Sequence, residues 1–408
     1  MKNHLILILT ILFISTTAAY SQGEAAVPFL QIHPGPNLNA MAGAFTALPS
    51  SDAFGQYFNP AQLGNFSHER NFSYQFYSKN TNWLPAFNYS DLTFRSSAVA
   101  IGYNFRSIFP EVPVSIGMGY LDTKLNLGEK VWTDENGNYL GTFNSKEVYS
   151  AYSIGMGIDY FIRFNMGYTL KKIHSDLGLH DVKVDAEDIG LQLTIPIIKT
   201  IDTFTEKPYL FPDGSIPFFD FSIGLAQSNN GTKVKYIDVN QLNPLPKQAK
   251  IGYAISFGLN KEYKSFYLQL LKFDWSSEAR DILIKTNDYG GKDYTKFPGD
   301  IKIWDNVFLG KSDDQISIYQ GWRIKLLDTF QYSQGRVKGP GYPAAQRTHG
   351  FLFSSTGLLK WLSLNFNSNI LKFAVNHFEL SYIGTRYTSN SPLNDTKFEA
   401  ISFSIFGF

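Results

Sequence analysis

The 408-residue chain contains no cysteine and has almost no net charge, with 36 basic residues against 35 acidic ones. The absence of cysteine excludes disulfide bonds, a thiolate nucleophile, Cys-ligated zinc and an acylated cysteine as a lipid anchor. The absence of a basic excess removes the electrostatic basis for binding nucleic acid. Long apolar runs are also missing, because the longest, Leu5–Ile14, falls well short of the roughly 20 residues of a transmembrane helix.

Residues 1–21 have the pattern of a cleavable export signal. Lys2 supplies the positive charge, Leu5–Ile14 the apolar core, and Ala19-Tyr20-Ser21 a small-x-small cleavage site before Gln22. We therefore expect an exported mature protein that starts near Gln22. If that protein sits in a membrane, we expect a closed β-barrel, because lipid cannot satisfy the hydrogen bonds of an open backbone.

From about residue 98 onward, apolar side chains alternate with small or polar ones, which is the period of a β-strand. In residues 98–105 one face carries Val99, Ile101, Tyr103 and Phe105, and the other carries Ala98, Ala100, Gly102 and Asn104. A soluble β-sandwich also alternates, but it presents charged side chains to water. The Gly, Ala and Ser of the second face suit the packed interior of a barrel instead.

The last segment, Lys397–Phe408, is a strand pattern that ends in a C-terminal phenylalanine. It resembles the assembly signal of bacterial outer-membrane barrels. Together with the export signal and the alternation, it predicts an all-β fold in the bacterial outer membrane. We expect a transmembrane antiparallel β-barrel of about 14 strands at residues 67–408, surrounded by outer-membrane lipid, with residues 22–66 as an N-terminal plug.

Fifteen segments have a strand pattern, one more than an even-numbered barrel allows. They are 70–78, 86–94, 98–107, 113–129, 147–158, 161–173, 184–198, 217–228, 248–260, 263–275, 314–325, 328–334, 350–358, 376–387 and 397–408. We expect one of them not to be a strand, and both termini to lie on the periplasmic side. The long connections at 130–146, 174–184, 229–247, 276–313, 335–349 and 388–396 should then face outward.

No motif for catalysis or cofactor binding is found. Gly310-Lys311-Ser312 lacks the upstream glycine of a phosphate-binding loop, and no G-x-S-x-G or H-E-x-x-H segment occurs. One predicted outer loop could bind a cation, although a solvated polar loop is the favoured interpretation of its residues His174, Asp176, His180, Asp181, Asp185, Glu187 and Asp188. We predict no catalytic residues, no cofactor and no metal site.

The connection from Ser276 to Asp314 is too long for a plain turn between strands. It mixes charged residues with the aromatic residues Tyr289, Tyr294, Phe297, Trp304 and Phe308. Aromatic side chains in an exposed polar loop are typical of a protein-contact surface or a lid. A loop folded over its own barrel mouth is an equally good interpretation.

Residues 29–64 resemble the N-terminal signature of the FadL-like outer-membrane barrels, which runs small-Gly-Ala, Asp-Ala and Asn-Pro-Ala-Gly-Leu. The matching positions are Gly43, Ala44, Asp52, Asn59, Pro60, Ala61 and Leu63. The preceding segment Phe29–Pro34 is similar to the PorV/PorQ proteins of the Bacteroidota type IX secretion system. Physically, Asp52 and Asn59 can bond to nearby backbone, and Pro60 can begin a helical turn. We expect the motif to hold the plug rather than to contact a ligand.

The resemblance implies a fourteen-stranded barrel with the N-terminal segment folded inside, and it implies two possible functions. PorV/PorQ-type members take part in protein secretion and surface attachment, which predicts binding of secretion-system or cargo proteins through the outer loops. FadL-like members take up apolar small molecules such as fatty acids and hydrocarbons, which predicts an apolar pocket beside the plug. We expect the secretion role, with the uptake channel as the alternative.

Overall fold

The computed structural model describes residues 25–408 except 89–90, 108–109, 111–112, 179–180, 207–208, 237–241, 264–265, 341, 367 and 389–390. Fourteen antiparallel strands form a closed barrel, and β1 pairs with both β2 and β14. The strands are β1 (Phe72–Tyr77), β2 (Leu92–Asn104), β3 (Val114–Thr133), β4 (Tyr139–Asp159), β5 (Arg163–Asp176), β6 (Asp181–Pro196), β7 (Ser215–Gly231), β8 (Gln248–Tyr263), β9 (Phe266–Ile282), β10 (Ile316–Leu326), β11 (Phe330–Gly339), β12 (Tyr342–Ser354), β13 (Phe378–Thr388) and β14 (Lys397–Ile405). The expected signal peptide lies outside the described residues.

The predicted barrel is therefore confirmed, and the surplus strand can be identified. The prediction of a strand at 86–94 is wrong, because Pro85–Phe87 is a single 3₁₀ turn and β2 begins only at Leu92. The other fourteen predicted segments each correspond to one barrel strand. A further pair of residues, Thr81–Asn82, extends the sheet beside β2.

The two ends of the barrel differ. At one end, the terminal end, β1 begins beside the last residues of β14, and connections such as 160–162 and 327–329 are tight turns. At the opposite end, the far end, two connections are long and carry small hairpins, Val234–Lys235 with Leu242–Asn243 and Ile284–Thr286 with Lys292–Tyr294. The expected long connections at 130–146, 174–184 and 335–349 are wrong, because the strands continue to within a few residues of each other there. The expected short turns on the side of the termini are present at 160–162 and 327–329, but the connections 197–214 and 355–377 on that side are long.

Three helices lie at the terminal end and were not predicted. They are α4 (Ile197–Thr205), α5 (Ser355–Asn365) and α6 (Asn369–His377). Ser354 and Ser368 accept hydrogen bonds from backbone N–H groups in the first turns of α5 and α6, so both helices have serine N-caps. The predicted strand 350–358 therefore ends at Ser354. Across the described part of the chain, no helix is both long enough and apolar enough to cross a membrane.

The plug occupies the lumen and contains three further helices, α1 (Pro36–Asn39), α2 (Gly55–Phe58) and α3 (Gln62–Glu69). Its apolar side chains form one core with the inward faces of the strands. Outside, large apolar side chains are exposed around the whole barrel: Ile101, Met118, Tyr152, Met166, Ile189, Ile223, Phe257, Tyr332, Phe353, Leu380 and Phe403. The barrel is thus apolar outside and tightly packed inside.

A row of glycines brings the plug into contact with the wall. Across β2 to β6, five glycines are direct neighbours in register: Gly102, Gly117, Gly155, Gly167 and Gly190. A Cβ on any of them would overlap the plug between Asn59 and Ser67. The face of these strands that carries small residues therefore contacts the plug. The alternation in the sequence predicts this face to be the interior one.

Candidate functional site

Asn59, at the centre of the motif, joins the plug to two strands. Its Nδ2 donates to the carbonyl of Thr46 at 2.8 Å, to the carbonyl of Leu191 in β6 at 3.0 Å and to the carbonyl of Leu225 in β7 at 3.5 Å. Its Oδ1 accepts from Ala61 N–H at 3.0 Å, so Asn59 supports the turn that enters α3. Pro60 lies between these contacts and packs over Gly167.

The other motif residues are buried or hydrogen-bonded within the plug. Asp52 accepts hydrogen bonds from Phe54 N–H at 2.9 Å and from Asn37 Nδ2 at 3.3 Å, and burial raises the pKa of its carboxyl group. Gly43 has a φ of +77° and lies against His33, where a side chain would collide. Ala44 and Leu63 are buried against the wall.

A charged group on β9 holds the middle of the plug. Arg280 donates from Nη2 to the carbonyl of Gly43 at 2.6 Å and from Nε to Glu278 at 2.6 Å, and its guanidinium stacks on Tyr319. His33 Nε2 lies 2.6 Å from Arg280 Nη1. Because a guanidinium can only donate, His33 accepts through Nε2. Burial and the charge of Arg280 keep the pKa of His33 well below 6.5.

The hydrogen bonds to the wall surround residues 34–67 of the plug. They come from strands on every side of the barrel, through Tyr77, Ser115, Gln192, Lys250, Glu278, Arg280, Thr348 and Thr385. Residues 25–32 are held differently. Ala26 N–H donates to the carbonyl of Pro244 in a far-end connection at 2.8 Å, and Tyr57 of the plug donates to the carbonyl of Leu30 at 2.8 Å. One bond comes from the wall, from Gln248 Nε2 of β8 to Gln31 Oε1 at 3.3 Å. The plug thus has a fixed body and a less tied N-terminal segment.

An apolar cavity of about 710 Å³, the far-end cavity, lies between this N-terminal segment and the wall. Its lining is mostly apolar and comes from widely separated parts of the chain: Ala25, Ala26, Val27, Pro28, Phe29, Ile32, Trp83, Leu125, Leu127, Glu147, Leu177, Tyr236 and Asn243. Glu147 is the one ionisable carboxylate in that set, and it accepts from Ser175 Oγ at 2.9 Å. Tyr236 donates to the same Ser175 Oγ at 3.2 Å.

A second cavity, of about 380 Å³, opens at the terminal end and is polar. Its charged lining residues are Asp52, Glu69, Arg70, Arg163, Asp220, Lys272, Arg323, Lys325, Asp328 and Glu379. Many are paired, as in Arg70 with Glu379 at 2.8 Å. The buried body of the plug separates this polar cavity from the apolar far-end cavity.

The five aromatic residues of the 276–314 connection do not form one surface. Tyr289 is almost fully exposed at the tip of the small hairpin, and Tyr294 is half-buried beside Leu245, whose N–H bonds to its hydroxyl at 2.8 Å. Trp304 and Phe308 lie in a π-helical turn, Ile303–Phe308, packed on the outer wall. Phe308 stacks there on Tyr253 with ring centroids 5.1 Å apart. Phe297 is partly exposed before this turn.

The polar stretch predicted as an outer loop mostly belongs to β5 and β6. Asp188 points into the barrel and pairs with Lys171 at 2.7 Å, both side chains being buried. His174 contacts Asp181 near the far end, and His180 lies outside the described residues. Within the described ranges, no group of three histidine or acidic side chains is placed to hold a metal ion.

No family model and no curated protein matches the sequence. Solved structures of similar fold include the following three. The toluene transporter TbuX of Ralstonia pickettii has a TM-score of 0.44 at 11% identity over 93% of this chain and 100% of that one. The monoaromatic hydrocarbon channel CymD has a TM-score of 0.37 at 10% identity over 92% and 96%. A FadL homologue of Pseudomonas aeruginosa has a TM-score of 0.37 at 10% identity over 91% and 97%.

These similarities leave the family of the chain open, since every TM-score is below 0.5. The expected membership in the PorV/PorQ family is not confirmed. The far-end cavity was expected only in outline, as an apolar pocket beside the plug. Its members could not be named from the sequence, because Phe29, Trp83, Leu125 and Tyr236 belong to four separate segments with no common motif.

Proposed function

We propose that the protein is an outer-membrane channel that binds an apolar small molecule in the far-end cavity and takes part in its uptake. The observation that carries this proposal is the cavity itself. Its volume of about 710 Å³ lies within the range of roughly 300–1,000 Å³ that small-molecule sites occupy. Its apolar lining stabilises a ligand by removing hydrocarbon surface from water.

The distribution of polarity supports a membrane location. Soluble proteins rarely expose continuous apolar surface, whereas this barrel exposes large apolar side chains on its outward faces around the wall. Two fully buried ion pairs lie on the inside, Lys171 with Asp188 and Arg280 with Glu278. Lipid outside and packed polar contacts inside account for both features.

The lining also favours one chemical class of ligand. The cavity contains the carboxylate Glu147 and no lysine or arginine among its described lining residues. A bound carboxylate would therefore be buried near a like charge with no cation to balance it. We infer that the ligand is uncharged, with any polar group acting as a hydrogen-bond donor.

Entry needs a movable element, and the contacts favour residues 25–32. The body of the plug is bonded to the wall on every side, while this segment forms one side of the cavity. It is tied to the far-end connection by Ala26 and to β8 by a single bond at Gln31. Displacing it would open the cavity without breaking the contacts of Asn59 or Arg280. In this proposal the body of the plug stays in place, and residues 25–32 act as the gate.

The proposal is tested by filling the cavity. Leu125→Trp places an indole in the cavity from the inward face of β3, and Met118→Trp places the same indole on the outward face of that strand. The first variant should lose binding of an uncharged fluorescent naphthylamine probe by about tenfold or more, and the second should keep it. Equal binding by wild type and Leu125→Trp would refute the cavity as the site.

A secretion role remains a second prediction, supported by the exposure of Tyr289 and Trp304 at the far end. Deleting the whole 276–314 connection would remove part of β9, which runs to Ile282. Replacing only residues 287–291 by a Gly-Ser turn leaves the barrel intact. Loss of a secretion partner in a pull-down would support this role, and unchanged capture would count against it.

A further inference from the structure

The outer wall near the far end carries an unusual pair of charges. Arg336 of β11 and Arg347 of β12 are direct cross-strand partners. Both point outward, because the neighbouring Gly335 and Thr348 contact Ala42 of the plug. Side chains in such positions are about 5 Å apart at Cβ, and like charges there destabilise a sheet. Neither arginine has an acidic partner among the described residues.

One of these guanidinium groups is held in place. Arg336 donates from Nε and Nη2 to Gln320 Oε1 at 3.0 and 2.6 Å. Gln320 in turn donates to Ser277 Oγ at 3.2 Å, and Ser277 donates to the carbonyl of Val307 at 3.1 Å. The π-helical turn folded on the outer wall is thus the base of a hydrogen-bonded chain that ends at Arg336. This chain leaves Arg336 Nη1 for a ligand outside the wall.

The position along the barrel is also specific. Lys338 follows Arg336 on the outward face of β11, while toward the terminal end the same face continues to Tyr332. On β12 the outward face continues from Arg347 through His349 to Phe351 and Phe353. Arg336, Arg347 and Lys338 therefore lie at the far-end border of the band of apolar side chains that the outer wall exposes. In a membrane barrel, that border is the headgroup level of the outer leaflet.

We propose that Arg336 and Arg347, with Lys338 beside them, form a binding site for the phosphate of an anionic lipid of the outer leaflet. A phosphate between the two guanidinium groups accepts charge-assisted hydrogen bonds from both and removes their repulsion. The lipid chains then lie along Phe351 and Phe353. The occupant is a lipid and not a free anion, because the site is continuous with the apolar wall. This inference rests on the membrane location in the proposed function but not on the far-end cavity.

The test compares two glycolipids that differ only in phosphate. Purified protein in detergent is mixed with bisphosphorylated lipid A or with its dephosphorylated form, and the retained lipid is counted by native mass spectrometry. Wild type should retain the phosphorylated lipid about tenfold better. The variant Arg336→Gln/Arg347→Gln should lose that preference. The control, Lys172→Gln/Lys183→Gln, removes the same charge from the outward faces of β5 and β6 and should keep it.

Three results would overturn the proposal: no preference in wild type, an unchanged preference in the double variant, or displacement of the lipid by inorganic phosphate alone. Heat-modified migration on gels confirms that each variant is a folded barrel. The naphthylamine probe, measured in the same preparations, reports on the far-end cavity. If wild type retains the phosphorylated lipid preferentially but does not bind the probe, the proposed ligand site in the far-end cavity is refuted and the lipid site is not.

Discussion

Gly190 of β6 lies directly against the carboxamide of Asn59, and the missing side chain at Gly190 is what lets the plug reach this strand. The same carboxamide then bonds to the carbonyl of Leu191, the next residue of the strand. One glycine and one asparagine thereby couple a lumenal segment to the wall. The glycine row that runs from β2 to β6 repeats the arrangement at each neighbouring strand.

Gly190→Ala should destabilise the barrel by about 1–3 kcal/mol, because its methyl group overlaps the Asn59 side chain. Asn59→Ala should cost a similar amount, because it removes the side-chain donor to the buried carbonyl groups of Thr46 and Leu191. The double variant should lose less than the sum, since the smaller side chain at position 59 makes room for the methyl group. Thermal unfolding in detergent measures all three, and strictly additive losses would contradict the contact.

The plug should lose stability as the pH falls from 6.5 toward 4. Burial and the charge of Arg163 lower the pKa of His68 to about 4, and burial and Arg280 lower that of His33. Below pH 6.5 the unfolded chain therefore binds protons that the folded chain does not, so the free energy of unfolding falls with pH, by at most about 1.4 kcal/mol per pH unit for each histidine.

His33→Gln/His68→Gln should flatten this dependence while lowering stability at neutral pH. Glutamine at position 33 keeps an acceptor for Arg280. His174→Gln, near the far end of β5, serves as the control because it removes a histidine without touching the plug. Unfolding midpoints between pH 4 and 8 provide the measurement, and an equally steep dependence in the double variant would assign the effect to other groups.

Lys360 fixes α5 to the barrel end. Its Nζ donates to the carbonyl of Tyr267 at 2.6 Å and pairs with Asp328 at 2.7 Å. Burial raises the pKa of Asp328, but Lys325 and Lys360 outweigh it, so the net shift is downward. Lys360→Met should leave the tight turn at Asp328 with one cation fewer and should loosen α5 and α6. Hydrogen exchange of residues 355–377 should rise, while Lys360→Arg should restore protection.

The alternation of the strands predicted the barrel well, because inside and outside differ so strongly in polarity. In β2, Val99 and Ile101 point to one side and Ala100 and Gly102 to the other, as the sequence pattern indicates. The helices α5 and α6 were missed because short apolar runs fit either period. Ser354 and Ser368 were the available signals, since each begins a helix as an N-cap.

The candidate site was less predictable than the fold. The contacts of Asn59 are local or go to adjacent backbone, which is the kind of contact that a sequence motif can encode. The cavity depends on how the far-end strands pack on residues 25–32, and no local pattern encodes that packing. The 276–314 connection likewise folds on the outer wall because Phe308 finds Tyr253, a partner far from it in sequence.

The gating role of residues 25–32 can be tested by locking them to the far-end connection. Ala26 N–H bonds to the carbonyl of Pro244 at 2.8 Å, which places the two backbones within reach of an engineered disulfide. The native chain has no cysteine, so Ala26→Cys/Pro244→Cys introduces the only thiols. In the oxidised protein, uptake of an uncharged probe into proteoliposomes should fall by about tenfold or more, and reduction should restore it.

The single variant Ala26→Cys controls for the loss of the native side chain. Full uptake through the oxidised protein would show that the ligand passes without moving this segment, and the fixed body of the plug around Asn59 would then have to be the part that moves.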